Sequence, residues 1–113
     1  MPTHAEIASR LLVDAATFFR TLGEQNELLK DQMDDNAKVF EQMAGLIVEN
    51  PTGQIDEETS VGQLAGRLLG DAATFFQTLA DQNEPIREQM SENARVYREI
   101  GERVAESPQG ILE

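Results

Sequence analysis

The chain has 113 residues, no cysteine, and a formal net charge of −12 from 21 acidic and nine basic side chains. That is the length of one ordinary domain, and 40% hydrophobic with 27% charged residues is the balance of a folded chain rather than a disordered one. The missing cysteines exclude disulfides, thiolate metal sites and cysteine catalysis, and the negative charge opposes phosphate backbones and anionic lipid.

The first element is announced by Thr3-His4-Ala5-Glu6, a capping box that starts a helix just after Thr3. The helix is expected to run to about Leu22. At 100° per residue, Ile7, Ala8, Leu11, Leu12, Ala15, Ala16, Phe18, Phe19 and Leu22 cover about half its circumference, so it should have neighbours on two sides. Asp14 falls at the edge of this arc, with Arg10, Thr17 and Thr21 beyond it. His4, the only histidine, is expected to be an exposed residue near a frayed end.

Asn26 is the expected N-cap of a second helix ending near Glu49, before Asn50-Pro51. Its apolar stripe is read as Leu29, Met33, Asn36, Phe40, Met43 and Ile47, an alternation of four and three with Asn36 at its centre. Gln32 lies one turn before Asn36 on the same side. A turn near residues 23–26 would set Asp14 opposite Asn36.

Residues 50–59, NPTGQIDEET, then join this hairpin to the next segment. Fully extended they would reach at most ~35 Å, against ~30 Å for a helix of this size. A return along the bundle would be nearly taut, so a local crossing is expected.

The second half repeats the first. Ala8–Gly53 aligns with Ala65–Gly110 without a gap, with roughly half the positions identical at an offset of 57. Ser60-Val61-Gly62-Gln63 is the second capping box, and the third helix should run to about Leu79. Asn83 is the next expected N-cap, Pro85 fits a first helical turn, and the fourth helix should end near Glu106 before Ser107-Pro108. Its stripe is Ile86, Met90, Asn93, Tyr97, Ile100 and Val104, with Gln89 beside it, and Asp71 is expected opposite Asn93.

These elements predict one all-α domain: an up-down-up-down four-helix bundle of two tandem αα-hairpins, with repeat units 3–56 and 60–113. Asp14, Asn36, Asp71 and Asn93, flanked by Gln32 and Gln89, are expected to form a polar layer in its core. Such a layer fixes register at a cost in stability. Alternatively it is a ligand or cation site, whose oxygen ligands would suit a hard cation. Gly62, Gly66 and Gly70 step by four along the third helix and, with Ala73, offer a candidate interface for another helix.

No catalytic, metal or cofactor motif is expected. The Glu-x-x-His pairs of di-iron bundles and the G-x-x-x-x-G-K-[ST] loop are missing, and no Ser/His/Asp set assembles around His4. No apolar run approaches the roughly 20 residues of a membrane span, and MPTHAEIASR has no secretory-signal pattern, so a cytoplasmic protein is expected. The leading expectation is a non-enzymatic acidic interaction module that binds a protein partner or self-associates, with neither direct nucleic-acid nor membrane binding. A small-molecule or cation binder using the polar layer is the alternative. A weaker one is an acidic DNA mimic that occupies a nucleic-acid-binding protein.

Overall fold

The computed structural model describes residues 2–111. Four helices follow in order: α1 (His4–Gln25), α2 (Lys30–Glu49), α3 (Val61–Gln82) and α4 (Arg87–Glu106). They form the expected all-α bundle, in which α1 packs along α2 and α3 along α4. None is long and apolar enough to cross a membrane.

Both capping boxes are present. The Thr3 hydroxyl accepts from the Glu6 amide and the Glu6 carboxylate accepts from the Thr3 amide; Ser60 and Gln63 do the same for α3. These bonds, backbone first, hold the Glu6 carboxyl below the usual carboxylate range.

The hairpin turns differ from expectation. α1 and α3 continue to Gln25 and Gln82, and one turn of 3-10 helix, Glu27–Leu29 or Glu84–Ile86, precedes α2 and α4. Asn26 and Asn83 are not side-chain N-caps. Asn83 instead donates back to the Leu79 carbonyl at 3.1 Å, which serves the end of α3. Pro85 sits in the first turn of the 3-10 segment, where a missing amide costs nothing.

The longer turn shifts the register. Ser9 Oγ donates to the Ala44 carbonyl at 2.9 Å, and Gly23 lies against Lys30 and Met33. The buried stripe of α2 is Met33, Ala37, Phe40, Ala44 and Ile47, with Met43 beside it. Asn36 is only half-buried and Leu29 is exposed. The physical reason is close approach: α1 buries Ala5, Ala8, Ala15 and Ala16, α2 buries Ala37 and Ala44, and small side chains let the two backbones come near.

Aromatic rings join the helices both within and between the hairpins. Phe19 packs edge-on against Phe40 at 5.1 Å and Phe75 at 5.4 Å, and Phe76 mirrors it with Tyr97 at 4.9 Å and Phe18 at 5.2 Å. Phe19 and Phe76, 57 residues apart, therefore make equivalent ring contacts in the two hairpins.

The far end is tied by two matching clasps. The residues 50–59 link turns locally, as expected: Gly53 C=O accepts from Val61 N at 2.9 Å and Gln54 pairs with Ser60. Asp56 Oδ1 accepts from the Glu58 and Thr59 amides, both at 2.8 Å, which tightens the loop and lowers that carboxyl's pKa. In the equivalent place the tail after α4 closes on α1. Gly110 C=O accepts from His4 N at 2.7 Å, Pro108 C=O from Ala5 N at 2.9 Å, and Ile111 pairs with Thr3.

His4 is thus buried, contrary to the frayed end expected for it. Its Nδ1 donates to the Ser107 carbonyl at 2.8 Å, while Nε2 is enclosed without a partner. Its counterpart in the other clasp is Val61, also buried. Gly110 is required here, because an added Cβ would stand 2.8 Å from His4 Cε1. We expect Gly110→Ala to loosen the tail and cost about 1–2 kcal/mol. Hydrogen exchange at the His4 and Ala5 amides should accelerate, and unchanged protection there would show that the tail does not hold α1.

Candidate functional site

The expected polar layer does not form in the core. Asp14 and Asp71 are exposed, Asn36 and Asn93 are half-buried, and Gln32 and Gln89 face solvent. The shifted register is one reason. The other is that Asp14 lies on the side of α1 turned away from α2, so it meets the opposite hairpin.

Two grooves result, and each combines the hairpins. In the first, Asn36, Val39 and Phe40 of α2 face Leu68, Asp71, Ala72 and Phe75 of α3, with Phe19 of α1 at the base; its volume is about 300 Å³. In the second, Asn93, Val96 and Tyr97 of α4 face Leu11, Asp14 and Phe18 of α1, with Phe76 of α3 at the base; its volume is about 260 Å³. Asp14 therefore shares a groove with Asn93, and Asp71 with Asn36. The pairing crosses the hairpins instead of running within them.

Each groove has one carboxylate, one amide, three aromatic rings and an aliphatic floor. The rings are fixed by their edge-to-face contacts, so the floor is pre-formed. Neither Asp14 nor Asp71 makes a hydrogen bond or ion pair among the described residues. The structure also separates the two carboxylates, and no cluster of three or more His, Asp or Glu side chains that could hold a metal ion occurs among the described residues. A cation site shared by all four polar residues is therefore corrected: a groove with one carboxylate is too poor in oxygen ligands for a hard cation.

The grooves differ at one lining pair. Tyr97 Oη donates to the Leu11 carbonyl at 2.8 Å, joining α4 to α1, whereas its counterpart is Phe40. Burial and then the Asp14 carboxylate, which lines the same groove, push the Tyr97 phenol upward. The remaining lining residues common to both grooves, including half-exposed Val39 and its partly buried counterpart Val96, are identical in type.

The glycine stripe is likewise corrected. Gly62 and Gly66 lie inside the α3–α4 crossing: a Cβ on Gly62 would meet the Val104 carbonyl at 2.7 Å, and one on Gly66 the Gly101 carbonyl at 2.5 Å. The first hairpin has Ser9 and Ala44 at this crossing and uses the Ser9 hydroxyl instead. Gly70 has nothing within 4 Å, and Ala73 is buried in the core, so these residues form no shared outer surface.

Charge pairing elsewhere is peripheral. Arg20 holds Glu41 between α1 and α2, with Nη2 to Oε1 at 2.9 Å, and keeps that carboxyl below its usual range. On α4, Glu99 pairs with Arg103 at 3.2 Å, one turn apart on the solvent face. Sequence reading missed the groove-lining Val39, Val96, Leu11, Leu68 and Tyr97 as a set. The available signal was their identity, or near identity, at an offset of 57.

The chain matches no family model, no curated protein and no solved structure.

Proposed function

We propose that this protein is a non-enzymatic interaction module that docks basic amphipathic helices of a protein partner in its two grooves. The observation that carries the reading is the pair of equivalent grooves, each with a solvent-facing carboxylate and an amide over a rigid apolar floor. A partner helix would set apolar side chains on the Phe, Leu and Val floor, while a lysine or arginine reaches the aspartate. The net charge of −12 favours a cationic partner and speeds its approach. Each groove is small and open, which suits a side-chain anchor better than an enclosed small molecule. The only histidine is enclosed by the tail clasp and lies outside both grooves.

A site-specific photo-crosslinker tests the reading. Placed at Val39 or Val96, it should trap a common partner in the protein's own host. Placed at exposed Glu102 on α4, it should trap that partner far less. Equal capture from all positions would reject groove docking.

A further inference from the structure

We infer that the two grooves are unequal, and that the Asn36/Asp71 groove is the primary seat for a lysine or arginine flanked by apolar side chains on the partner helix. The inference rests on the docking reading above and takes it further. The walls of both grooves are built from different hairpins, so a side chain that fills either one and widens it moves one hairpin against the other. In the Asn93/Asp14 groove this motion strains the bond from Tyr97 Oη to the Leu11 carbonyl, 2.8 Å long and closing one wall on the other. In the other groove the residue at that position is Phe40, which has no hydroxyl and leaves the α2–α3 wall untied. The volumes follow the same order, about 300 Å³ against 260 Å³.

Charge gives the second reason. In the untied groove the lining offers an incoming cation the Asp71 carboxylate and the Phe40 and Phe75 rings, with no competing donor among those side chains except the Asn36 amide. In the tied groove the phenol stands beside Asp14, and its hydroxyl replaces apolar ring edge where the flanking apolar group would lie. Losing one neutral hydrogen bond on opening corresponds to a difference of roughly threefold to tenfold in affinity.

The test uses the full, isotope-labelled chain and a short acetylated leucine/lysine amphipathic helix as probe. The side-chain amide signals of Asn36 and Asn93 report the two grooves separately. The Asn36 signal should reach its midpoint at roughly threefold to tenfold lower probe concentration than Asn93. Tyr97→Phe should bring the two midpoints together, and Asp71→Asn should weaken only the Asn36 response. Should Tyr97→Phe fail to fold, Phe40→Tyr supplies the opposite change and should raise the Asn36 midpoint. Equal midpoints in the parent chain, or a gap that survives Tyr97→Phe, would overturn the inequality while leaving docking intact. If neither amide moves, docking itself is wrong and the inequality falls with it.

Discussion

Gly66→Leu will destabilise the protein by about 3 kcal/mol or more, even though leucine is a far better helix former than glycine. A Cβ at residue 66 would stand 2.5 Å from the Gly101 carbonyl and 3.1 Å from Ala105 Cβ. A carbonyl oxygen belongs to the backbone of α4, so it cannot rotate away as a side chain would. The helices must separate, and the buried line of Ala65, Leu69, Ala94 and Val104 would lose its packing. Gly70→Ala is the internal control. With nothing within 4 Å, it gains helix propensity without a clash and should stabilise by up to about 1 kcal/mol. Urea unfolding of both variants decides the matter. Changes of the same sign would mean that α3 and α4 do not cross this closely.

Phe19→Ala should cost about 3–5 kcal/mol, the range for removing a buried aromatic side chain. Phe19 is 3% exposed and touches Phe40 in its own hairpin and Phe75 in the other, so its loss opens the core and the hairpin interface together. At about 4 °C per kcal/mol for a chain of this size, the melting midpoint should fall by roughly 12–20 °C. Phe18→Ala, at a half-buried ring on the same helix, should cost clearly less. Differential scanning calorimetry reads both. A fall for Phe19→Ala no larger than that for Phe18→Ala would place the core elsewhere.

The two grooves sharpen what a partner must offer. A single carboxylate is a weak anchor in water, since exposed ion pairs contribute little. On the docking proposal the affinity would come from the apolar floor, with Asp14 and Asp71 selecting for charge and orientation. Two grooves on one rigid body also allow a partner with two suitable helices to bind more tightly than either alone.

The candidate site was only partly legible. Asp14, Asn36, Asp71 and Asn93 are recognisable as polar residues at the border of apolar stripes, because helical periodicity places each one relative to its own helix. Periodicity says nothing about which helix lies across from that border. Two stripes fit α2 equally well, one through Asn36 and Met43 and one through Ala37 and Ala44. The second is buried because alanine permits the closer helix approach. The same limit misplaced the glycines: Gly62 and Gly66 announce a close contact, but their partner turned out to be α4 of the same hairpin.

His4 shows the complementary case. Its place in the first turn suggests fraying, and nothing local indicates that residues 107–111 return to cover it. That contact spans 103 residues, so it exists only when the bundle is closed.

By itself, then, the sequence determined the helices, both capping boxes, the local link between hairpins and the equivalence of positions 57 apart, all of which depend on neighbours a few residues away or on comparison within the chain. Tertiary structure alone decided the hairpin register, the crossing of Asp14 to Asn93 and of Asp71 to Asn36, and the Tyr97 tie across one groove. Those depend on how near two backbones can approach, and that distance is set jointly by side chains on different helices.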